Sequence, residues 1–365
     1  MPSEEKNQEN KKVTRKDIAE LAGVSVSVVS RALNNSGYVK KEIKEKIIRL
    51  AREMNYYPNP VAMSLQQKRT RQILFYCKDM HNAFNIDMYH GMLKEAKKRN
   101  YMVLLNGNLN FISLREAMVD GIILQNEITA VEFDNACGKN YFLPAVLAGY
   151  GNYPYLSRSI PLVEWDTYSG MELAIEYLRK KGHTRIAYAS PFSFEEKNCR
   201  TGAWKDLLKP VLGEELAHYH LGICRQDVPE LDKLSDDTFS YESNQFDFEE
   251  EFFKKGIVAA RLLLKKNLDA TAVICFNDEF AFGIMQELQR HQIKIPDDIS
   301  ILSFDGSYRR RYVYPALTCV TCHPEKQGEL LAEKLLDIIE GKHFHYITRI
   351  PSELLEGETV KNFQE

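Results

Sequence analysis

The N-terminal fold is decided by the stretch Val13-Thr-Arg-Lys-Asp-Ile-Ala-Glu-Leu-Ala-Gly-Val-Ser-Val-Ser-Val-Val-Ser-Arg-Ala-Leu-Asn34. Apolar residues recur in it at helical spacing, and Thr14 stands where an N-cap is expected. Gly23 supplies the backbone freedom that a tight turn between crossing helices requires, and Ser25 can cap the helix that follows. We therefore predict two short helices joined by a tight turn, the second ending near Asn34.

The second predicted helix has two unlike faces. One face is apolar and is expected to pack against the other helices, while the opposite face is expected to stay open. A third helix is predicted over about residues 41–55, where apolar residues repeat every three or four positions. The apolar face comprises Val29, Ala32 and Leu33, the open face Val26, Ser27, Ser30 and Arg31, and the third helix repeats Ile43, Ile47, Leu50 and Met54.

Charge divides the chain at about residue 71. Residues 11–71 hold 14 Lys or Arg against 5 Asp or Glu, a net charge of +9, whereas residues 72–365 carry a net charge of −10. A small basic unit joined to an acidic body is typical of a nucleic-acid-binding domain attached to a domain that does not bind nucleic acid. A solvated basic face without a ligand is the alternative that charge alone leaves open.

The N-terminal stretch closely resembles the helix-turn-helix of the lactose/galactose-repressor (LacI/GalR) family of transcription regulators. The resemblance continues through Asn55-Tyr-Tyr-Pro-Asn-Pro-Val-Ala-Met-Ser-Leu65, which is similar to that family's hinge helix. Two positions depart from the family pattern: Val28 stands where Thr is usual in the recognition helix, and Lys40 where Ser usually caps the third helix. These departures concern local contacts and not the predicted domain.

The resemblance implies that the second helix lies in the major groove of double-stranded operator DNA. Arg31 can then bond guanine O6 and N7 together, Ser27 can serve either base, and Val26 can contact a thymine methyl group. Phosphate-positioning roles are implied for Thr14, Ser25, Ser30, Asn34 and Tyr38, and DNA contacts of the hinge helix for Asn59, Ala62 and Leu65.

From about residue 72, short β-rich runs alternate with amphipathic helical stretches. This alternation predicts an α/β body with parallel sheets and helices on both faces. Such sheets bind ligands beyond the carboxyl ends of their strands. Strands are predicted at 72–77, 102–105, 121–124, 145–147, 185–189, 272–276 and 299–304, and helices at 89–98, 170–180, 256–265 and 281–291.

This body also resembles the LacI/GalR family, which implies a two-lobed sensor domain like a periplasmic sugar-binding protein. The matching pieces include Asp166-Thr-Tyr-Ser-Gly170, Arg200-Thr-Gly-Ala-Trp204, Asn277-Asp278 and Ser303-Phe-Asp305. The lobes of that family exchange strands, so we expect one lobe from about 72–163 with 324–350 and the other from about 164–320 with the tail. The fold class expected is α/β, with an N-terminal three-helix helix-turn-helix domain and a two-lobed periplasmic-binding-protein-like domain of parallel sheets.

The same resemblance places an effector site between the lobes. Arg200 presents a rigid fork of donors and Asp305 a pair of acceptors, so together they can hold vicinal hydroxyl groups, and Asn277 can donate and accept. Phe84 and Tyr150 fall where the family places aromatic residues against ligand rings, although a lone aromatic residue in an α/β protein is more often part of the core. We expect a small-molecule effector that is a sugar or a sugar derivative.

One motif competes with this interpretation. Cys319-Val-Thr-Cys322-His323 has the spacing of a c-type haem attachment or of half a zinc site. Such haem attachment belongs to exported proteins, and no second pair of cysteines completes a tetrahedral zinc site, so we expect no metal and no cofactor. The usual phosphate-loop, elbow-serine and zincin signatures are absent from the sequence, and we expect no enzyme activity. The alternative is a carbohydrate-processing enzyme, which would need two carboxyl groups flanking a scissile bond.

The sequence also predicts the limits of the domains, the location of the protein and its oligomeric state. We expect a disordered arm at 1–12, the helix-turn-helix domain at 13–58, a hinge helix and linker at 59–71, and a ligand-binding and dimerisation domain at 72–365. No apolar run approaches the roughly 20 residues of a membrane span, and the charged N-terminus lacks a signal peptide, so a cytoplasmic protein without a membrane partner is predicted. One recognition helix reads few base pairs, which favours a homodimer on a palindromic site.

Overall fold

The chain divides into two compact units, Met1–Thr70 and Arg71–Glu365. The structure is a computed structural model that describes residues 13–34, 36–56, 69–80, 82–108, 111, 114, 117–137, 143–151, 160–223 and 248–363. The predicted arm and the hinge residues Asn59, Ala62 and Leu65 lie outside the described residues. Within the described part of the chain, no helix has the length and apolar character needed to cross a membrane.

In the described residues of the first unit, 13–34, 36–56 and 69–70, there are three helices, α1 (Arg15–Ala22), α2 (Val26–Leu33) and α3 (Lys41–Glu53). Thr14 and Asp17 form a capping box at the start of α1, each side chain accepting the other residue's backbone N–H. Gly23 ends α1 with φ of 71°, a left-handed conformation that costs a residue with a Cβ atom about 1–2 kcal/mol. The N-cap and the turn predicted from the sequence are confirmed.

A small apolar core holds the three helices together. Val29 and Ala32 are buried, so α2 packs through the face that the sequence predicted, while Leu33 is half-buried. Each fully buried branched side chain stabilises the unit by about 1.5–3 kcal/mol. The buried members are Ile18, Ala19, Ala22, Val29, Ala32, Ile47 and Ala51.

The second unit is built on two six-stranded sheets, which confirms the predicted α/β class. The strands are β1 (Gln72–Tyr76), β2 (Met102–Asn106), β3 (Gly121–Leu124), β4 (Ala145–Gly149), β5 (Leu162–Trp165), β6 (Ile186–Ser190), β7 (His220–Gly222), β8 (Ala272–Cys275), β9 (Ser300–Asp305), β10 (Thr318–Thr321), β11 (Ile347–Ile350) and β12 (Glu353–Leu355). Strand order is β11-β5-β4-β3-β1-β2 in sheet 1 and β12-β10-β9-β8-β6-β7 in sheet 2. The pairings between these strands are parallel except that of β12 with β10.

Helices cover both sheets. The helices are α4 (Ala83–Lys98), α5 (Glu127–Cys137), α6 (Thr167–Lys180), α7 (Cys199–Leu212), α8 (Phe248–Lys266), α9 (Asp278–Arg290) and α10 (Pro324–Glu340), with 3₁₀ turns at Gly213–Ala217 and Tyr308–Arg311. Helices α4 and α10 pack together on sheet 1, and their backbones approach so closely that a Cβ atom at Gly91 would lie 1.9 Å from the Glu325 carbonyl oxygen. Helices α8 and α9 form a similar pair on sheet 2.

The chain passes between the two sheets three times within the described residues. It leaves sheet 1 after β5, returns after β10 to form α10, and crosses again between β11 and β12. The exchange of segments between lobes that the sequence led us to expect is therefore present. Because the strands other than β12 run parallel to one another within each sheet, each lobe presents the carboxyl ends of those strands along one edge, where ligands of α/β proteins bind.

Candidate functional sites

The outward face of α2 carries the side chains predicted to read bases. Val26, Ser27 and Arg31 are exposed, whereas Val29 on the opposite face is fully buried. The Arg31 Nε atom donates to the Ser27 carbonyl oxygen over 3.4 Å, so part of its fork is used within the helix. The remaining donors of Arg31 face solvent beside Ser27 and Val26, an arrangement that suits contact with base edges.

The residues expected to contact phosphates are mostly exposed. Thr14 donates its hydroxyl hydrogen to Asp17 over 2.7 Å, and the Tyr38 side chain is open to solvent. Ser25 occupies the N-cap position of α2, but the expected side-chain cap is wrong, because its hydroxyl lies 2.8 Å from the Ser27 hydroxyl and bonds no backbone N–H. Ser25 therefore restrains a neighbouring side chain of the recognition face, and it is its carbonyl oxygen that accepts the Val28 and Val29 N–H groups of α2.

A residue that the sequence did not single out also belongs to this face. Arg15 donates from Nη1 to the Ser30 hydroxyl over 3.1 Å and from Nε to the Tyr56 hydroxyl over 3.2 Å. Ser30 also accepts from Asn34 over 3.4 Å, so the two predicted phosphate contacts Ser30 and Asn34 touch each other. Arg15 stands at the first position of α1, and nothing in its spacing signals this contact with α2, which only the packing of the helices creates.

The five predicted effector residues all follow or end strands of the parallel sheets. Phe84 and Tyr150 lie after β1 and β4 in sheet 1, while Arg200, Asn277 and Asp305 lie at or after the ends of β6, β8 and β9 in sheet 2. Parallel strands bring their carboxyl ends to one edge of a sheet. Residues far apart in the sequence thus gather along these two edges.

Arg200 and Asp305 form a buried ion pair. The Arg200 Nη2 atom lies 3.2 Å from Asp305 Oδ1, and Nη1 donates to the Phe276 carbonyl oxygen. Burial raises the pKa of Asp305, and Arg200 acts in the opposite direction, so the carboxylate depends on this guanidinium to remain charged. These two bonds, among the described residues, use two of the five N–H groups of Arg200.

An aromatic cage encloses the Arg200 guanidinium. Its central carbon lies 4.9 Å from the ring centroid of Trp165, 4.6 Å from that of Phe276 and 5.3 Å from that of Phe304. Cation–π attraction of this kind is worth about 0.5–2 kcal/mol per ring. The cage fixes the direction of the guanidinium fork, and none of its three rings was predicted from the sequence, because each one is contributed by a different strand or strand end.

Tyr150 joins the two lobes. Its carbonyl oxygen accepts from the Thr167 hydroxyl over 2.7 Å and from the Cys199 thiol over 3.1 Å, both at the start of helices that pack on sheet 2. Its ring centroid is 6.0 Å from that of Phe84. Burial, with Cys322 and Glu127 as further causes, raises the pKa of Tyr150 well above its ordinary value, so the hydroxyl is neutral and able to donate. Phe84 and Tyr150 are thus brought together, and Tyr150 also lies near the Arg200–Asp305 pair.

Asn277 and Asp278 begin helix α9. The Asn277 side chain accepts the Phe280 N–H over 2.9 Å, so its amide oxygen serves as the N-cap of α9. Asp278 is buried and accepts from Ser303 over 2.5 Å and from the Ser307 N–H over 2.7 Å. Burial, and secondarily the charge of Asp305, raises the pKa of Asp278 to about 7. Asp278 thereby holds the turn that carries Asp305.

The two cysteines of the competing motif lie in the interior of the second unit. Cys319 lies on β10 and Cys322 follows it, both buried, and burial raises the pKa of each thiol. Among the residues that the structure describes, no group of His, Cys, Asp or Glu side chains is placed to hold a metal ion. His183 is buried between Thr271, 2.9 Å away, and the Lys361 carbonyl oxygen, 3.1 Å away, so it fastens the C-terminal segment to sheet 2.

Two family models match the chain. Residues 14–59 match the model described as bacterial regulatory proteins, lacI family, and residues 175–360 match the periplasmic binding protein-like domain. The second match alone covers about half of the chain and contains Arg200, Asn277 and Asp305. The chain belongs to the lacI family of bacterial regulatory proteins. The resemblance noted in the sequence is thereby confirmed, and the molecule is a transcription regulator.

Relatives of this lacI-family chain align over nearly its whole length. The probable HTH-type transcriptional repressor ExuR of Bacillus subtilis (strain 168) is 31% identical over 336 residues, which are 90% of this chain and 92% of that protein. The HTH-type transcriptional repressor PurR of Vibrio atlanticus (strain LGP32) is 29% identical over 357 residues, 95% of this chain and 98% of that one. Each of these two relatives is named as an HTH-type transcriptional repressor.

Solved structures share the fold of this lacI-family chain at lower identity. The lac repressor dimer bound to operator and the anti-inducer ONPF has a TM-score of 0.68 and 20% identity, over 96% of this chain and all of that one. A LacI family transcriptional regulator from Enterococcus faecium with bound ribose has a TM-score of 0.62 and 21% identity, over 80% of this chain and all of that one. These likenesses confirm the fold class.

Proposed function

We propose that this lacI-family chain is a transcriptional repressor that binds operator DNA as a homodimer and is controlled by a small effector held between the lobes of its second unit. The observation that carries the proposal is the recognition face of α2, where Val26, Ser27 and Arg31 are exposed on a helix anchored by Val29 and Ala32. The relatives named above are repressors, and one similar structure is a dimer on its operator. Such a protein works in the cytoplasm.

Sequence reading rests on the chemistry of three side chains. Arg31 bonds guanine through two parallel N–H groups, Ser27 contacts a second base, and Val26 favours a thymine methyl group. Thr14, Ser25, Ser30, Asn34 and Tyr38 are proposed to bond phosphates and so fix the register of the helix on the duplex. The basic stretch over residues 11–71, with its net charge of +9, supplies the attraction that does not depend on sequence.

The effector is proposed to be a sugar or sugar derivative with at least two adjacent hydroxyl groups. Arg200 retains three N–H donors and Asp305 a carboxylate, a combination that bonds vicinal hydroxyl groups in both directions. Phe84 and Tyr150, whose ring centroids lie 6.0 Å apart, are proposed to cover the apolar face of a ring, and the Asn277 amide to donate to a further oxygen. A similar lacI-family regulator holds ribose.

The partners of two carboxyl groups in the site, Asp305 and Asp278, support a binding role and not an enzyme. Asp305 is paired with Arg200, and Asp278 accepts hydrogen bonds from Ser303 and Ser307. A glycosidase needs one carboxyl group free to give a proton and another free to act as base or nucleophile on opposite sides of the scissile bond. Asp305 is paired with Arg200 and Asp278 is held by two serines, so neither is free to act as the acid or base of a glycosidase, while Asp305 keeps acceptor sites for ligand hydroxyl groups.

Communication between the units is assigned to the hinge. Asn59 and Ala62 are proposed to contact DNA beside Leu65, which inserts between base steps at the centre of the operator. Insertion of an apolar side chain kinks the duplex and costs a few kcal/mol. The additional contacts that the bent DNA makes with the protein offset this cost. A change in the placement of the lobes when the effector binds would separate the paired hinges and withdraw Leu65.

The test begins with selection from a random-sequence duplex library by the full-length protein. We expect an inverted repeat to be enriched, as two-fold protein symmetry requires. A thermal-shift screen of pentoses, hexoses, uronic acids and nucleobases then identifies the effector, because a ligand of the folded state raises the melting temperature. The compound found should change operator affinity. Conversion of any of these compounds without DNA binding would favour the carbohydrate-processing enzyme.

A further inference from the structure

The recognition face of the first unit includes a groove between α2 and the start of α1. Arg15, Val26, Ser27, Ser30 and Arg31 line it. Two of these five residues are arginines and none is a carboxylate, so the groove is electropositive. The side chains assigned to base reading thus share their surface with a second guanidinium, contributed by a different helix.

Arg15 is held in place by two other parts of the unit. Its Nη1 atom donates to Ser30 on α2 over 3.1 Å, and its Nε atom donates to Tyr56, which follows α3, over 3.2 Å. A flexible arginine loses side-chain entropy when it binds, and a side chain already fixed by the protein loses less. Such pre-organisation is of more use in recognising one base than in a general attraction to phosphates.

The two bonds leave the outer end of the guanidinium available. One N–H of Nη1 and both N–H groups of Nη2 are unused by these bonds, since the group has five donors in all. Two parallel N–H groups match the O6 and N7 acceptors of guanine in the major groove, which is the commonest specific arginine contact with DNA. Ser30 accepts from Arg15, so the bond that orders the Arg15 side chain also fixes its position along α2, in the groove that Ser27 and Arg31 line.

We propose that Arg15 is a second base-reading arginine, which bonds a guanine edge beside the bases read by Arg31 and Ser27. The inference rests on the proposed function, because it needs α2 to lie in the major groove. It follows that each operator half-site has two positions where guanine is required, one specified by Arg31 and one by Arg15.

The experiment compares four full-length proteins in selection from the same random duplex library: the parent, Arg15→Met, Arg15→Lys and Arg49→Met. Met keeps most of the apolar stem of arginine, and Lys keeps the charge without the bidentate fork. Arg49 is the matched control, because it is exposed on α3, pairs with Glu53 over 3.9 Å and does not line the groove. Each protein's affinity for the site enriched by the parent is then measured.

We expect both Arg15 variants to lose the guanine preference at one position of each half-site and to keep the others. Affinity of Arg15→Met for the parent site should fall about 5- to 150-fold. Arg49→Met should enrich the parent sequence and weaken binding to all duplexes alike. Should Arg15→Met melt well below the parent, Arg15→Lys decides the matter, because it preserves the charge and the stem.

Two results would overturn the proposal in distinguishable ways. If both Arg15 variants enrich the parent sequence with no more loss than Arg49→Met shows, Arg15 contacts phosphate only and the proposed function stands. If the parent enriches no sequence at all, the proposed function itself fails, and the assignment of Arg15 fails with it.

Discussion

The Arg200 guanidinium lies 3.2 Å from the Asp305 carboxylate, in a pair whose side chains are only 9% and 12% exposed. The two residues are 105 positions apart: Arg200 lies in the first turn of α7, which follows β6, and Asp305 ends β9 of the same sheet. A pair this well shielded is little screened by salt, and removal of one partner leaves the other charge buried. The pair therefore serves both the fold and the proposed effector site.

The first prediction concerns Arg200→Ala. Loss of its charge-assisted bonds should lower effector affinity about tenfold to a hundredfold, equivalent to about 1.5–3 kcal/mol. Binding to operator DNA without effector should be unchanged, because the base-reading residues belong to the other unit. Isothermal titration with the sugar found in the screen and gel-shift titration with operator measure the two effects.

Arg185→Ala is the control for that variant. Arg185 pairs with Asp269 at the surface, where its side chain is 50% exposed, and such pairs contribute little. Its effector affinity should equal that of the parent. Unchanged effector affinity in Arg200→Ala would remove Arg200 from the effector site.

The second prediction concerns the turn after Asp305. Gly306 has φ of 79°, and a Cβ atom there would lie 2.5 Å from Thr321 Cβ, beside the hydroxyl that donates to the Asp305 carbonyl oxygen. Gly306→Ala should cost about 1–2 kcal/mol for the left-handed backbone and about 1–3 kcal/mol for overpacking. It should also weaken effector binding by displacing Asp305. Urea unfolding and titration with the screened sugar test both.

Gly341→Ala separates the two costs. Gly341 has φ of 71°, but a Cβ atom there would meet nothing within 4 Å. This variant should lose only the backbone contribution, about 1–2 kcal/mol, and bind effector as the parent does. Equal loss of stability in the two glycine variants would show that Thr321 moves aside for the new methyl group with no loss of folding free energy.

The third prediction is a pH dependence of stability caused by Asp278. Its folded pKa of about 7 exceeds the value of about 3.9 for an unfolded chain, so between these limits the folded protein binds more protons than the unfolded one. The stability that the neutral form contributes is complete below about pH 4 and is lost as pH rises through about 7. Its slope is at most about 1.4 kcal/mol per pH unit.

Asp278→Asn should remove that slope, because the amide does not titrate. The free energy of unfolding of the parent minus that of the variant should therefore decrease from pH 5 to about pH 7 and then become constant, as measured by urea unfolding. Parallel pH profiles of the two proteins would show that Asp278 is ionised throughout and that its serine partners outweigh its burial.

The fourth prediction concerns Leu65→Ala in the hinge. A helix over about residues 60–68 is too short to be stable alone, since isolated helices below about 12 residues are marginal in water, so we expect it to order only with its partner's copy on DNA. The variant should fold normally and bind non-specific DNA nearly as well as the parent, but lose specific affinity and DNA bending. A circular-permutation gel measures the bend, and an unchanged bend angle and operator affinity would show that Leu65 is not inserted.

Much of this protein could be predicted from local sequence. The Thr14 cap, the Gly23 turn and the apolar face of α2 depend on neighbouring residues and on helical periodicity, and each is present in the structure. The alternation of strands and helices likewise predicted the parallel sheets. Helix α4 was expected at 89–98 but begins at Ala83, because the Asn82 side chain accepts the Phe84 N–H and caps an earlier start.

Other features escaped local patterns. Helix α7, which carries Arg200 in its first turn, was not among the predicted helices, because it includes Pro210 and its apolar residues form no continuous stripe. Its start is fixed by Asn198, whose side chain accepts the Arg200 and Thr201 N–H groups. The capping role of Ser25 was expected and is absent, because the Ser27 hydroxyl competes for the same oxygen.

Local sequence was enough to predict most of the strands and helices, the basic charge of residues 11–71, the exposed face of α2 and the residue types available for an effector. The contacts of those residues follow only from the packed structure: Arg15 reaches Ser30 and Tyr56, and Arg200 enters a cage of Trp165, Phe276 and Phe304. The difference arises because helical and strand periods are local properties of the chain. A hydrogen bond or a cation–π contact between distant residues depends on the order of strands and on the packing of helices, which no local period encodes.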